Sequence, residues 1–242
     1  MPAIELINTP LYNSSLRAYY RMSTGALTTD SKNSYTLTNN GTVADGTGKF
    51  GGGADGGATN STKYFNVDSA LGLSGGNAAK SMFCWFKMNT ELSGADSYGV
   101  LASIANADVD TQYRIGYWRD GSTNKVAVDR GKNGIGTTPI YSTQALGTTN
   151  FNHLGFTWDG TTLRAYFNGA EYGNSTPSGA GNNGLTDKLT ILRDTTANYQ
   201  SAIIDEVAIW DTALSATDVS NLYTGNFPSG GSPIFFGNTA IA

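Results

Sequence analysis

Two glycine-containing dipeptides constrain the fold more than any other feature of this sequence. Asp159-Gly160 and Asn168-Gly169 each offer the positive φ angles that a two-residue hairpin turn needs. The residues around them alternate between apolar and polar types, which is typical of β-strands with one buried face. We therefore predict three consecutive antiparallel strands in residues 153–172, a pattern that favours an all-β fold.

The same alternation recurs along most of the chain. Strands are predicted at residues 64–67, 82–88, 100–104, 113–118 and 126–128. The segment 82–88 is largely apolar and indicates a buried strand, whereas Asp120-Gly121 indicates a turn. The glycine-rich residues 46–57 predict a loop. Short strands separated by Gly, Asn and Asp turns are typical of a β-sandwich or a β-barrel.

One helix is predicted, from Ser215 to about Tyr223. Ser215 is a good N-cap residue, and Asp218 follows it at the spacing of a capping box. Val219 supplies part of an apolar edge, and Gly225 is placed to end the helix. The remainder of the chain is predicted to be strand and loop.

Charge and hydropathy exclude several classes of protein. The chain has 15 Lys and Arg residues against 19 Asp and Glu, a net charge of −4, whereas nucleic-acid binding needs clustered cations. No apolar run approaches the roughly 18 residues of a membrane span. Cys84 is the single cysteine, so an internal disulfide is excluded. Its position beside Trp85 predicts a small hydrophobic side chain in the core.

The chain is predicted to form one domain over residues 1–227, because no change in composition and no internal repeat divides it. The N-terminus includes Glu5 and lacks a basic region, so it does not predict a secretory signal. Residues 228–242 form an apolar tail that contains Gly, Pro and Ile234-Phe235-Phe236. This tail either wraps the domain edge or is disordered, or it docks on a neighbouring subunit by strand addition.

Residues 156–169 resemble the hairpin of laminin-G-like domains in the concanavalin A-like superfamily. Residues 204–215 and Leu222-Tyr223 are similar to the final strand and short helix of that family, and residues 16–21, 30–33, 48–51 and 81–87 to its earlier landmarks. The resemblance covers residues 14–225. It implies a jelly-roll β-sandwich of two antiparallel sheets with one short C-terminal helix.

The same superfamily includes glucanases, whose catalytic carboxylates would have to be present if this chain were such an enzyme. A retaining glycosidase needs two carboxylates about 5–5.5 Å apart, and on this fold they usually lie on one strand as Glu-x-Asp-x-x-Glu. The chain has four Glu, at positions 5, 91, 171 and 206, and no two lie within ten residues of each other. His153, the single histidine, is expected to be a strand residue. We therefore predict that the protein is not an enzyme.

Asp205 is the most informative carboxylate. Strand side chains alternate with period two, so Asp205 is expected to share a face with Val207 and Ile209. An inward carboxylate must be paired, hydrogen-bonded or bound to a metal. The family resemblance implies one structural calcium ion with Asp205, Asp30 and Asp55 as possible ligands, and hard oxygen ligands suit calcium. The alternative is that these carboxylates accept hydrogen bonds from loop N–H groups.

Sugar binding would need exposed aromatic side chains with polar neighbours. The best group is Tyr113, Tyr117, Trp118, Arg119, Asp120 and Tyr141. Trp118 alternates with Ile115 and Tyr117, so these residues lie on opposite faces of the strand and one of the faces is exposed. The alternative is that these aromatic residues only pack within the sheet or its covering loops. The other three tryptophans, Trp85, Trp158 and Trp210, lie in dense apolar segments and are predicted to be in the core.

Two functions remain open. The family resemblance implies a non-catalytic carbohydrate-binding or adhesion module whose partner is a glycan or a cell-surface polysaccharide. The alternative is a structural or decoration protein of an extracellular assembly, such as a phage virion, in which residues 228–242 dock on a neighbouring subunit of a homo-oligomer or other assembly. Both imply an extracellular or virion location.

Overall fold

The protein is a sandwich of two antiparallel β-sheets with one α-helix. The computed structural model describes residues 6–58, 62–69, 71–73, 75, 77–93, 97–105, 111–132, 139–177, 188–193 and 200–227. Ile234, Phe235 and Phe236, with the rest of the predicted tail, lie outside the described residues. The predicted jelly-roll class, with its C-terminal helix, is confirmed.

The first sheet has eight strands. They are β1 (Leu16–Tyr20), β3 (Ala44–Thr47), β4 (Gly52–Asp55), β6 (Lys80–Met88), β11 (Asn152–Trp158), β12 (Leu163–Phe167), β13 (Ala170–Ser175) and β15 (Ala202–Trp210). Their order is β13-β12-β11-β6-β15-β4-β3, and β1 pairs with β15. The strands β11, β12 and β13 are the predicted meander, with φ of 99° at Gly160 and 82° at Gly169 in its two turns.

The second sheet has seven strands. They are β2 (Thr38–Asn40), β5 (Tyr64–Val67), β7 (Tyr98–Ala105), β8 (Thr111–Asp120), β9 (Thr123–Lys132), β10 (Ile140–Tyr141) and β14 (Lys188–Ile191). Their order is β10-β9-β8-β7-β14-β5-β2. The β8–β9 hairpin turns at Gly121, where φ is 59°, as the sequence predicts.

The glycine-rich residues 46–57 are not a loop, contrary to the prediction, because they form most of the β3–β4 hairpin. Gly46 pairs with Gly53, and the N–H of Gly48 donates to the carbonyl of Gly51. A Cβ atom at Gly48 would lie 1.8 Å from the carbonyl oxygen of Gly52. Glycine is therefore required here by close backbone approach between two strands, which composition alone does not distinguish from flexibility.

Two hydrophobic clusters stabilise the sandwich. The main core lies between the sheets and includes Trp158, Phe156 and the buried thiol of Cys84. A second cluster covers the outer face of the eight-stranded sheet and includes Trp210, Phe83 and residues of the N-terminal segment. Trp158 and Trp210 are thus core residues, as predicted.

The helix α1 (Ala216–Thr224) packs at the end of the second cluster. The Ser215 side chain accepts a hydrogen bond from the N–H of Asp218, whose carboxylate accepts from Ser215 in return, so the predicted capping box is present. Gly225 ends the helix in the left-handed conformation, with φ of 74°. None of the helices in the described part of the chain is long and apolar enough to cross a membrane.

Candidate functional site

Three aromatic side chains lie on the outer face of the seven-stranded sheet: Tyr98 on β7, Trp118 on β8 and Tyr141 on β10. We call them the aromatic strip. Alternation along β8 points Ile115 and Tyr117 into the core and Trp118 to the opposite face. Tyr98 is the cross-strand partner of Trp118. All three strip residues are half-buried, so each keeps part of its surface exposed to solvent.

The centre of the strip is a stacked pair. The rings of Trp118 and Tyr141 are 4.4 Å apart at their centroids, with 30° between their planes. Tyr141 lies opposite Ala127 on β9, and Ala127 lies opposite Gly116 on β8. These two small residues leave room above the sheet, so two rings from non-adjacent strands can meet over them.

An ion pair between a half-buried arginine and a buried carboxylate borders the strip beside Tyr98. The guanidinium of Arg114 donates through two nitrogens to the carboxylate of Asp129, with 2.8 Å from Nε to Oδ1. Asp129 is only 3% exposed. The guanidinium carbon of Arg114 also lies 5.3 Å from the ring centroid of Tyr98, a cation–π distance that holds this ring in place.

A second, exposed ion pair lies at the other end of β8. The ammonium of Lys125 is 2.7 Å from the carboxylate of Asp120, whose side chain is 51% exposed. Arg119 does not join this group, because it lies on the opposite face of the strand from Trp118. It pairs instead with Glu91 at 3.4 Å.

The prediction that Tyr113 and Tyr117 offer exposed rings is wrong. They are 1% and 0% exposed and stack inside the core against Phe156 and Phe86. The Tyr113 hydroxyl accepts a hydrogen bond from the guanidinium of Arg130. Alternation showed that one face of β8 is buried, but only the packing of the two sheets determines which face it is.

Tyr98 was not among the predicted site residues, although its register beside Trp118 makes it part of the strip. The Tyr98 hydroxyl is buried and has no hydrogen-bond partner within the described residues. Burial, and secondly the negative charge of Asp129, raises the pKa of Tyr98 well above its usual value. The hydroxyl therefore stays protonated.

The structure does not bring the three predicted metal ligands together. Backbone N–H groups of Tyr19, Lys32 and Tyr35 donate to Asp30, and the N–H of Gly57 and the amide of Asn89 donate to Asp55. The described residues contain no group of three His, Cys, Asp or Glu side chains that could hold a metal ion. Asp30, Asp55 and Oδ2 of Asp205 each accept hydrogen bonds from loop N–H groups, which favours the alternative for these carboxylates. The structural calcium ion stays a prediction.

A β-bulge reverses the predicted orientation of Asp205. The pairing of β15 with β6 shifts register between Asp205 and Ala208, and Glu206 within the bulge has a positive φ of 53°. The extra residue puts Asp205 in phase with Ala208, which belongs to the second cluster. Val207 and Ile209 belong to the main core, so the prediction that Asp205 shares their face is wrong.

Asp205 binds the turn between β3 and β4. Its Oδ2 atom accepts hydrogen bonds from the backbone N–H groups of Lys49 and Phe50, at 2.8 and 3.1 Å. Its Oδ1 atom is buried and finds no partner in the described part of the chain. Burial, which those two hydrogen bonds only partly offset, raises the pKa of Asp205 to about 6.

A pocket opens on the outer face of the eight-stranded sheet. It contains about 410 Å³ of empty space, part of it open to solvent, and Trp85, His153 and Glu206 are among its walls. His153 packs against Trp85 and Phe83, with ring centroids 5.1 and 5.3 Å away. Burial lowers the pKa of His153 to about 3. The imidazole is therefore neutral near pH 7. Trp85 is 5% exposed and thus buried, as predicted, and it also lines this pocket.

Comparisons with known proteins agree with the β-sandwich fold. A family model described as the concanavalin A-like lectin/glucanases superfamily, Laminin_G_3, matches residues 55–220. The sequence matches no curated protein.

Solved structures share the fold at low sequence identity. Domain 4 of AbnA, a GH43 extracellular arabinanase from Geobacillus stearothermophilus, solved in complex with arabinotriose, is 20% identical, with a TM-score of 0.64 over 86% of this chain and 98% of that chain. The binding domain of Paraclostridial Mosquitocidal Protein 1 is 13% identical, with a TM-score of 0.66 over 88% of this chain and 53% of that chain. The receptor binding domain of botulinum neurotoxin D is also 13% identical, with a TM-score of 0.65, covering 88% of this chain and 53% of that chain. The chain thus spans about half the length of the toxin domains, and these likenesses show a shared fold.

Proposed function

Because this chain belongs to the concanavalin A-like lectin/glucanase superfamily, through the Laminin_G_3 model that matches residues 55–220, we propose that it is a non-catalytic module that binds carbohydrate. The partner would be a glycan or a polysaccharide outside the cell. The proposal assigns binding to the aromatic strip, Tyr98, Trp118 and Tyr141, and to the polar groups beside it.

The stacked pair of Trp118 and Tyr141 is the observation that carries the proposal. Sugar rings present faces of C–H groups that pack on aromatic side chains, while their hydroxyls need donors and acceptors at the edges. The half-buried rings of Trp118 and Tyr141 supply the aromatic surface, because each ring stacks on the other and part of each stays exposed to solvent. Asp120 supplies exposed acceptor oxygens at the same face.

The comparisons favour binding over catalysis. One structural neighbour is a domain of an arabinanase in complex with arabinotriose, and two others are the binding domains of toxins. His153 is buried, neutral and stacked on Phe83, so it is poorly placed to act as a general base. The alternative function in an extracellular assembly stays a prediction, because it depends on residues 228–242.

Affinity electrophoresis tests the proposal directly. Native gels cast with arabinan, xylan, β-glucan or galactomannan should retard the protein relative to a gel without polysaccharide, and isothermal titration with the matching oligosaccharides should then give a dissociation constant. We expect retardation by at least one polymer and its loss on adding free oligosaccharide. Unchanged mobility in every gel, together with no heat of binding at millimolar oligosaccharide, would contradict a carbohydrate-binding function.

A further inference from the structure

The ion pairs around the aromatic strip carry an inference about the class of ligand. We infer that the strip selects neutral glycans and discriminates against uronate, sialylated and sulfated ones; this inference rests on the proposed function. An anionic sugar is normally held by a cationic side chain or by several N–H groups aimed at its charge. Binding of an anionic sugar therefore depends on whether a cationic side chain near the strip can turn towards it.

The strands β7 to β10 carry four cations whose side chains the structure describes: Arg114, Arg119, Lys125 and Arg130. Arg130 is 1% exposed and packs over Trp158 on the core side. Each of the other three pairs with a carboxylate: Arg114 with Asp129, Arg119 with Glu91, and Lys125 with Asp120. Among these described side chains, the formal charge beside the strip therefore cancels within the three pairs.

Arg114 cannot be recruited cheaply by an anionic ligand. Its two nitrogens already bind the carboxylate of Asp129, which is 3% exposed. Turning Arg114 towards a ligand would leave a buried carboxylate without its partner, and an unpaired buried charge is strongly unfavourable. The pair therefore resists opening by an anionic ligand.

Lys125 is the cation that an anionic glycan could recruit most easily. Its partner Asp120 is 51% exposed, and an exposed pair of this kind contributes little to stability. Recruiting Lys125 would, however, leave the charge of Asp120 close to the same ligand and repel it. The net charge of −4 over the whole chain adds a weaker repulsion for polyanions.

Neutral hydroxyls fit the polar groups that remain at the strip. A carboxylate has about four lone-pair sites, so Asp120 can accept hydrogen bonds from sugar hydroxyls while it stays paired with Lys125. Paired ions of this kind recognise hydroxyls without contributing net charge.

Polygalacturonate and its fully methyl-esterified form provide a matched test, because they share one backbone and differ in charge. Mobility of the protein should be measured in gels that contain each polymer, or a neutral arabinan or xylan, at 50 and 500 mM NaCl. We expect binding of the best neutral polymer to change less than about twofold between the two salt concentrations, because screening acts on charges. Polygalacturonate should bind at least tenfold more weakly than the best neutral polymer.

Two variants sharpen the test. Asp129→Asn removes the carboxylate that Arg114 binds, and Asp120→Asn removes the carboxylate that Lys125 binds, so at least one folded variant should gain salt-sensitive retardation by polygalacturonate. Two results would overturn the inference alone: wild-type binding to polygalacturonate that falls tenfold at 500 mM NaCl, or two folded variants that gain no such binding. Failure of the wild type to bind any polymer would instead overturn the proposed function, and the inference with it.

Discussion

Trp118 and Tyr141 stack with ring centroids 4.4 Å apart, although their strands β8 and β10 are separated by β9. Contact across an intervening strand is possible because Ala127 and Gly116 carry almost no side chain at that level of the sheet. The pair is thereby fixed before any ligand arrives, which lowers the entropy cost of binding.

Truncating either ring should weaken glycan binding. Trp118→Ala and Tyr141→Ala are each expected to raise the dissociation constant at least tenfold, since an aromatic contact contributes about 1.4 kcal/mol or more. Tyr223→Ala is the matched control, because Tyr223 is a 36% exposed aromatic residue that stacks on Trp85 at the other sheet. Titration calorimetry on folded variants gives the result; equal losses in all three would contradict a site at the strip.

Acid should destabilise the protein through His153. Its folded-state pKa of about 3 lies below the unfolded value of 6.5, so stability is present above pH 6.5 and is lost as pH falls towards 3. His153→Phe keeps a ring against Phe83 and removes the titration. Between pH 7 and pH 4 the variant should gain about 3 kcal/mol relative to wild type. Urea unfolding at both pH values measures this, and a constant difference would contradict the buried neutral imidazole.

Ionisation of Asp205 should give the protein's stability the opposite pH dependence. Its folded-state pKa of about 6 lies above the usual 3.8, so its contribution to stability is present below pH 4 and is lost as pH rises through 6. Asp205→Asn removes this dependence while its amide oxygen can still accept from Lys49 and Phe50. From pH 4 to pH 7 wild type should lose about 2 kcal/mol relative to the variant. The same urea series tests it, and parallel pH profiles would refute the assignment.

Chelation should leave the fold unchanged. The carboxylates of Asp30, Asp55 and Asp205 accept hydrogen bonds from separate N–H donors, which stabilise their charges without requiring a cation that bridges them. We expect the melting temperature to stay within about 1 °C in excess EDTA or in 5 mM CaCl₂, because a ligand that does not bind the native state cannot stabilise it. A calcium-dependent rise in the melting temperature that Asp205→Asn abolishes would instead support the predicted calcium site.

The Asn168-Gly169 turn should be more sensitive to substitution than the turn at Gly121. Both glycines have positive φ, 82° and 59°, so alanine at either costs about 1 kcal/mol in backbone strain. A Cβ at Gly169 would also lie 2.8 Å from Cβ of Tyr223, whereas at Gly121 nothing lies within 4 Å. Gly169→Ala should therefore destabilise the protein by about 1–3 kcal/mol more than Gly121→Ala. Equal melting temperatures would show that the contact with Tyr223 contributes nothing.

Local signals in the sequence predicted most of the fold correctly. The turns at Gly160, Gly169 and Gly121 and the Ser215 capping box are decided by residues close together in the chain, so they can be recognised without the tertiary structure. The glycine-rich hairpin of β3 and β4 was missed, because glycine carries no alternating pattern and its role there is close backbone approach.

The sequence by itself determined that β8 has one buried and one exposed face, because side-chain alternation is a property of a single strand. Which face is buried, and hence that Trp118 rather than Tyr117 is exposed, was decided only when the two sheets packed. The orientation of Asp205 depended on the bulge at Glu206, since one extra residue reverses alternation. Pairing of Trp118 with Tyr141 and of Arg114 with Asp129 required neighbouring strands in register. These contacts between strands, which no single segment encodes, create the candidate site.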